Sequence, residues 1–277
     1  MRIMITGHKG QLGTALQKAL ADEELLGLDL PEHDITDPTS IRDTMVRFRP
    51  DVVIHAAAMT DVDGCERNPD LAFRVNTLGT QNIALACGQG GAAMVHISTN
   101  DVFDGKLGRP YYEWDTPSPQ SVYARSKAAA EFYVRTLLHC FYIVRTAWLY
   151  ARGGSNFVTK IIAAADRLGA LRVVTDEVNA PTYAPDLARA IAQLIHTEHY
   201  GILHFTNSGT CSRYDWAGKI LELSGRGHVP VEPITTDQWQ RAASPPLYAP
   251  LVNFSGAALG ITLRPWEEAL EEYFAVE

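Results

Sequence analysis

The sequence predicts an α/β fold, built as a doubly wound parallel sheet with a smaller C-terminal lobe. In the first half, short runs that are apolar throughout alternate with helical patterns. Strands that are apolar on both faces, with helices between them, form parallel sheets covered on both sides. After about residue 150 the alternation loosens, which indicates a lobe packed against the sheet.

Each predicted element of the first half has a local signal. The helix at 10–22 opens on glycines, and the helix at 38–49 begins with Pro38 and a Thr/Ser cluster. The predicted strands are at 2–6, 25–29, 51–58, 92–99 and 141–148. The other predicted helices are at 69–89 and about 120–138.

The sequence of the second half of the chain indicates fewer strands than that of the first half. The predicted helices are at 156–168, 184–198 and 212–225, the short strands at 171–174 and 201–206, and residues 228–250 are proline-rich and read as irregular. We therefore divide the chain into a large unit, 1–150, and a smaller lobe, 151–277, from which some segments return to the sheet.

Composition excludes several classes of protein. The formal net charge of −8 argues against nucleic-acid binding, which needs excess Lys and Arg. The four cysteines form no C-x-x-C pair, which is typical of a reducing cytosol. The opening "MRIMITGHKG" lacks a secretory signal, and no apolar run reaches the ~20 residues of a membrane span. We expect a cytoplasmic protein without membrane partners.

A glycine-rich turn joins the first strand to the first helix. "TGHKGQLG" places Gly7, Gly10 and Gly13 where the backbone must turn sharply and let a pyrophosphate approach the helix N-terminus. The spacing G-x-x-G-x-x-G differs from the usual G-x-G-x-x-G, and a purely structural turn is the alternative. Asp29 lies 22 positions past Gly7, close to the ~20 expected for a ribose ligand. The turn predicts a Rossmann-type dinucleotide-binding unit over 1–150, and a substrate-binding lobe after it.

The choice between NADH and NADPH stays open at this point. Asp29 favours the free 2′-hydroxyl of NADH, whereas Lys9 could meet the 2′-phosphate of NADPH. We expect both nicotinamides to work, with modest discrimination.

The stretch "SVYARSK" places a phenol and an ammonium one helical turn apart. Tyr123 and Lys127 share a helix face, so the ammonium should lower the phenol's pKa and make it a usable proton donor during hydride attack. Lys127 could also bind the nicotinamide ribose. The alternative is a half-buried tyrosine beside a solvated lysine. Ser98 and Thr99 end the fourth strand, at the ligand edge of such a sheet, where a hydroxyl could reach a substrate carbonyl.

These motifs together resemble the extended short-chain dehydrogenase/reductase superfamily, and within it the dTDP-4-dehydrorhamnose reductase family. The resemblance spans nearly the whole chain. The stretches that carry it are "GHKGQLG", "DITD" (34–37), "HAAAMTDVDGCE", "STNDVFDG", Y-x-x-x-K, "RTAWLY", "NFV" (156–158), "APT" (180–182) and "LRPWEEAL" (263–270).

The resemblance implies roles for residues at matching positions. The implied catalytic residues are Thr99, Tyr123 and Lys127. The implied cofactor contacts, beside Gly7, Lys9, Gly13 and Asp29, are Gly10, Gln11, Leu12, Asp34, Ile35, Ala56, Ala57, Ala58, Asn76, Tyr123 and Lys127. The implied substrate contacts are Thr60, Val62, Thr99, Asn100 and Trp148. Core packing is the alternative for Trp148, and turn formation for Asn100.

Three departures from the family pattern stand out. Asn100-Asp101 replaces the usual Asp-Tyr, which affects contacts to the hexose. Ala15 replaces a helix glutamate that binds magnesium in some family dimers, so we expect no such metal site. "PPLYA" (245–249) replaces Arg-Pro-x-x-Ser, so a nucleotide contact is missing or replaced.

The implied function is reduction of a nucleotide-linked 4-keto-6-deoxyhexose by NADH or NADPH, with dTDP-L-rhamnose as the product, by a monomer or homodimer. Three alternatives remain: another 4-ketoreductase of nucleotide sugars, an epimerase that retains NAD, and a non-catalytic regulatory subunit of the methionine adenosyltransferase type. A zinc site at "HTEH" (196–199) and His204 is a further, weaker idea.

Overall fold

The computed structural model describes residues 1–275 of the chain. Its strands are short, and most of the longer ones lie in the first half. In chain order they are β1 (Arg2–Thr6), β2 (Glu24–Leu28), β3 (Val52–His55), β4 (Ala93–Thr99), β5 (Phe141–Thr146), β6 (Leu149–Tyr150), β7 (Leu171–Val174), β8 (Val178–Asn179), β9 (Thr182–Tyr183), β10 (Gly201–His204), β11 (Cys211–Ser212) and β12 (Val231–Ile234).

The helices lie between these strands and at the C-terminal end. In chain order they are α1 (Gln11–Ala19), α2 (Pro38–Phe48), α3 (Val62–Arg67), α4 (Pro69–Ala72), α5 (Thr80–Gly90), α6 (Val122–Leu137), α7 (Phe157–Leu168), α8 (Ala184–Leu194), α9 (Arg213–Leu223), α10 (Ser255–Ala258) and α11 (Trp266–Ala275). A π-helical segment, Phe73–Gly79, joins α4 to α5. Within residues 1–275, no helix is long and apolar enough to cross a membrane.

Six parallel strands form the main sheet in the order β10-β5-β4-β3-β1-β2. The predicted doubly wound parallel sheet is therefore confirmed. The strand order reverses between β1 and β3, because β1 is followed in the chain by β2 on one side while β3 lies on the other. In open sheets of this kind, ligands bind in the crevice at the carboxyl ends of the strands beside that reversal.

Alternate residues of each central strand serve opposite faces of the sheet. Ile3 and Ile5 pack with α1 and α8, whereas Met4 packs with α2 and α5. Both sets of side chains are fully buried. Burial on both faces explains why the strands read as unbroken apolar runs in the sequence.

The second half divides its segments between the main sheet and a separate core. β10 pairs with β5, and α8 packs against α1 on one face of the main sheet. A second cluster surrounds Trp216 and joins α7, α9 and α11. The expectation that 228–250 is irregular was wrong in part, because Val231–Ile234 pairs in parallel with β7.

Two predicted elements differ from their sequence patterns. The helix predicted at 69–89 is interrupted by the π-helical segment. The strand predicted at 51–58 ends at His55, so the three alanines that follow leave the sheet. They turn into the crevice instead, where backbone without large side chains leaves room for a ligand.

Candidate active site

A large cleft opens at the carboxyl ends of β1, β3, β4 and β5. Its volume is about 1420 Å³, and its walls come from the glycine-rich turn, from α6 and from the second lobe. Ligand pockets for one drug-sized molecule usually measure roughly 300–1,000 Å³. The cleft therefore has room for a dinucleotide and a second large ligand together.

The glycine-rich turn has a shape that side chains would block. Gly7 has φ +71, and a Cβ there would lie 2.7 Å from the backbone nitrogen of Ala57. A Cβ on Gly13 would lie 2.2 Å from the carbonyl oxygen of Gly7. The turn leads directly into the N-terminus of α1, whose free backbone N–H groups favour anions. This cradle fits a pyrophosphate, as the glycine spacing predicts.

The end of β2 carries the predicted ribose ligand. Asp29 lines the cleft, and its Oδ2 accepts a hydrogen bond from the Lys9 backbone nitrogen at 2.9 Å. The Lys9 ammonium lies 3.0 Å from both the Leu30 carbonyl oxygen and Glu32 Oε2. Glu32 thus offsets the charge that would attract a 2′-phosphate, a contribution that sequence reasoning missed.

Asp34 and Ile35 line the same wall of the cleft. The Asp34 carboxylate accepts from the Thr36 backbone nitrogen at 2.8 Å, which closes a turn, and Ile35 is buried against Gly79. Ala56, Ala57 and Ala58 line the cleft as well.

Gln11 connects the glycine-rich turn to the second lobe. Its Oε1 accepts from the Ala151 backbone nitrogen at 2.8 Å and from Asn156 Nδ2 at 2.9 Å. Leu12, the next residue, packs into the main core while still lining the cleft. Gln11 lines the cleft beside the glycine-rich turn, and its bond across to residues 151–156 was not predicted.

Asn76 is the predicted cofactor contact that does not reach the cleft surface. It is buried in the π-helical segment, and its amide bonds the Met59 backbone at 2.7 Å and 3.1 Å and the Ser126 hydroxyl at 3.0 Å. The geometry gives Asn76 a supporting place behind the cleft, since it ties the loop after β3 to α6.

The predicted catalytic residues lie together near the carboxyl end of β4. Ser121 caps α6 by accepting from the Ala124 backbone nitrogen at 3.1 Å, which sets Tyr123 and Lys127 on the helix face toward the cleft. Thr99 ends β4, and its side chain lines the cleft together with Tyr123 and Lys127. The structure therefore brings together the hydroxyl, phenol and ammonium that the sequence pattern suggested.

The expectation that Lys127 lowers the pKa of Tyr123 was wrong for the ligand-free protein. Burial raises the pKa of the phenol, the Asp101 carboxylate adds to the rise, and the nearby Thr99 hydroxyl only partly opposes it. Burial also lowers the pKa of Lys127, to about 8, with Glu131 acting in the opposite sense. Tyr123 is consequently protonated at neutral pH and has a proton to donate.

The far end of the cleft is formed by side chains from both halves. Trp148 lines it with φ +44, and its ring stacks on Trp216 at 5.5 Å between centroids. The Arg213 guanidinium lies 3.7 Å from the Trp148 ring centroid. Trp148 thus packs in the second core and also faces the cleft, so both interpretations made from sequence describe part of its position.

The remaining predicted substrate contacts also reach the cleft. Thr60 and Val62 line it at the start of α3. Asn100 is buried, accepts a long 3.4 Å bond from the Thr99 hydroxyl, and has no partner for its Nδ2 within the described chain. Asn100 itself lines the cleft, next to Thr99.

Sequence reasoning missed a charged cluster at this end. Arg213 and Arg241 line the cleft and approach the buried Glu177 at 3.4 Å and 3.8 Å. Asp101 faces the same cluster, and burial raises the pKa of its carboxyl to about 6. No local pattern marks these residues, because they come from four separate segments.

The histidines considered for zinc lie apart. His204 is buried and bonded to the Tyr111 carbonyl at 3.2 Å, whereas His196 and His199 are exposed. Among residues 1–275 no group of three or more His, Cys, Asp or Glu is arranged to hold a metal ion. The zinc hypothesis therefore has no geometric support.

The parallel sheet, the glycine cradle and the Thr-Tyr-Lys group define the class. The protein is an NAD(P)-dependent oxidoreductase with a Rossmann-type fold. The family model described as "RmlD substrate binding domain" matches residues 1–277, and the chain belongs to that family.

Proteins that are similar in sequence and in structure support this assignment. The chain is 41% identical to a dTDP-4-dehydrorhamnose reductase of Mycobacterium tuberculosis, over 97% of this chain and 91% of the relative. A crystal structure of the Clostridium acetobutylicum dTDP-4-dehydrorhamnose reductase superposes with a TM-score of 0.95 at 41% identity, covering 99% of this chain and 98% of the other. The Bacillus anthracis enzyme in complex with NADP superposes with a TM-score of 0.95 at 38% identity, with the same coverage.

Proposed function

We propose that this protein reduces dTDP-4-dehydro-L-rhamnose to dTDP-L-rhamnose with NADPH or NADH. The observation that carries the proposal is the meeting of Thr99, Tyr123 and Lys127 beside the glycine cradle, in one cleft large enough for both ligands. The full-length similarity to reductases of this name supports the choice of substrate.

The residues divide the work of reduction. The dinucleotide, when bound, supplies the hydride. Thr99 orients the substrate carbonyl, and the Tyr123 O–H donates its proton to that oxygen as the oxygen becomes an alkoxide. Lys127 would hold the nicotinamide ribose through a charge-assisted hydrogen bond from its ammonium. Position and charge, rather than any group of unusual reactivity, account for the protein's contribution.

The test is a panel of nucleotide-linked ketosugars followed by NADPH and NADH absorbance. We expect stoichiometric oxidation of cofactor with dTDP-4-dehydro-L-rhamnose and the highest kcat/KM for that substrate. Interconversion of sugars without net oxidation of cofactor would instead identify an epimerase. Co-purification with a synthetase and no ketosugar turnover would point to a regulatory subunit.

A different 4-ketosugar is the second candidate, and one feature favours it. Asn100 and Asp101 line the cleft at positions where the family pattern has Asp-Tyr. A related chain from Streptomyces antibioticus, 36% identical, is described as a probable dTDP-4,6-dihydroxy-2-methyloxan-3-one 4-ketoreductase. The same panel separates the two substrates.

Thr99, Tyr123 and Lys127, which the proposed reaction uses, line one cleft of a single chain. A monomer or homodimer in the cytoplasm is the form we propose, and size-exclusion chromatography with light scattering measures which of the two exists.

A further inference from the structure

The Lys127 ammonium makes a hydrogen bond that points away from the cleft. Its Nζ lies 3.3 Å from Nε2 of His96, a residue of β4 that the reaction does not use. The lysine side chain is 2% exposed and the histidine 0%. Because an ammonium only donates, Nε2 must be the accepting nitrogen of a neutral imidazole.

The surroundings keep His96 neutral. Burial lowers its pKa well below the usual range, and the nearby charge of Lys127 lowers it further. His55 stacks on it from β3, with ring centroids 5.5 Å apart, and burial lowers the pKa of His55 to about 3. His55 is itself held at 2.7 Å from Thr6 Oγ1 and 3.0 Å from Thr80 Oγ1. Protonation of the pair therefore does not compete with the lysine at working pH.

The carboxylate nearest to the Lys127 ammonium is hydrogen-bonded to other side chains. Glu131 lies one turn beyond Lys127 on α6, but both its oxygens bond Arg145, at 2.9 Å and 2.7 Å, and one also accepts from Ser98 at 2.6 Å. On the cleft side, Asp101 acts on the Tyr123 phenol rather than directly on the ammonium.

The remaining titratable neighbour is on α3. Cys65 lies beside Tyr123, and burial raises the pKa of its thiol to about 11, so it is neutral. Within the described chain, the imidazole of His96 is thus the polar group that directly engages the Lys127 ammonium. Glu131 only partly compensates the effect of burial on the pKa of that ammonium.

We propose that His96 is a positioning residue for Lys127. By accepting one of the three ammonium hydrogens, it turns the other two toward Tyr123 and the cofactor ribose, and it stabilises the charged form of the amine. The proposal rests on the role given to Lys127 in the proposed function.

The decisive measurement is an NMR titration of Lys127 in the ligand-free protein, with carbon-13 on the lysine ε-carbon. Lys127→Met identifies the resonance. In wild type we expect a titration at about 8. His96→Leu, which removes the acceptor, should lower the titration point by roughly one pH unit, because the charged amine loses a hydrogen-bond partner that favours it. His96→Gln, which retains an acceptor, should recover most of the shift.

His55→Leu is the matched control. His55 is equally buried, lies opposite His96 in the parallel register and does not bond Lys127. It should reduce thermal stability while Lys127 titrates as in wild type. If His96→Leu does not fold, His96→Met takes its place at similar size.

Two outcomes would overturn the proposal: an unchanged titration in His96→Leu, or equal shifts in the Leu, Gln and His55 variants. Because the titration needs neither substrate nor turnover, it gives its answer whether or not the ketosugar assay succeeds. In the active enzyme, the high-pH limb of kcat/KM should move downward in His96→Leu and return toward wild type in His96→Gln.

Discussion

The two sides of the cleft are built to recognise their ligands in different ways. On the cofactor side, Gly7 and Ala57 present backbone at close range, and their contacts leave little room for any side chain. On the opposite side, the Arg213 guanidinium lies over the rings of Trp148 and Phe157, at 3.7 Å and 4.8 Å. Backbone recognition depends on the shape of the turn and does not change when a side-chain charge is exchanged, whereas side-chain recognition is altered by one substitution. Cofactor use should therefore be the more constant property and sugar choice the more adjustable one.

The largest effect should come from the residue that serves both sides. Tyr123→Phe removes the proton donor, so we expect kcat to fall roughly 10²–10⁴-fold with cofactor affinity unchanged. Steady-state kinetics and a fluorescence titration with NADPH measure the two quantities. Tyr133→Phe, on the same helix but outside the cleft, is the control. Near-normal turnover in the Tyr123 variant would remove this residue from the acid role.

The second-largest effect on kinetics should be confined to the side of the cleft that is formed by Arg213 and the aromatic rings. Arg213→Ala removes a cation that lines the cleft and leaves the buried Glu177 without its 3.4 Å partner. We expect KM for the sugar nucleotide to rise about 10–100-fold, with the dissociation constant of NADPH unaffected. Arg226→Ala, which breaks an exposed pair with Asp166, is the matched control. An equal loss of cofactor affinity would contradict the separation of the two sides.

A smaller effect should depend on pH. Burial raises the pKa of Asp101 from 3.8 to about 6, so the folded protein holds this proton more tightly than the unfolded chain does. The native state is therefore disfavoured progressively as the pH rises from about 4 to about 6, and the penalty is constant above that. We expect Asp101→Asn to raise the melting temperature at pH 8 and to have no effect on it near pH 3. Calorimetry across this range checks the sign, and a pH-independent difference would refute the assignment.

The smallest effect should lie on the cofactor side, at an exposed ion pair. Glu32→Gln releases the Lys9 ammonium from its 3.0 Å partner and makes it available to a 2′-phosphate. Because exposed pairs contribute only about 0–1 kcal/mol, the preference for NADPH over NADH should increase no more than a few-fold. The ratio of kcat/KM for the two cofactors measures it, with Glu24→Gln as the control on the same edge. A shift toward NADH would show that Glu32 does not act through Lys9.

The sequence predicted the cofactor side better than the sugar side, for a physical reason. A strand buried on both faces, a glycine-rich turn and two side chains four positions apart on a helix are local patterns, and the parallel sheet then brings their ends together. Gly7, Thr99, Tyr123 and Lys127 were predicted in this way, and all four line the cleft.

The contacts that escaped prediction join distant segments. Arg213 meets Trp148 across 65 positions of sequence, Gln11 reaches Asn156, and Lys127 meets His96 on another element. Nothing in the neighbourhood of any one of these residues indicates its partner. The raised pKa of Tyr123 was missed for the same reason, since burial is a property of the assembled site rather than of a helix face.

The placement of β10 has a consequence for synthesis on the ribosome. The free edge of β5 is covered only when residues 201–204 have emerged, and the apolar face formed by Ile3 and Ile5 waits for α8. A nascent chain that stops near residue 150 would expose both the unpaired edge of β5 and an apolar surface, which together promote aggregation. Expression of the first 150 residues alone should give insoluble material. A fragment extended past residue 205 contains α8 and β10, which cover the apolar face and the edge of β5.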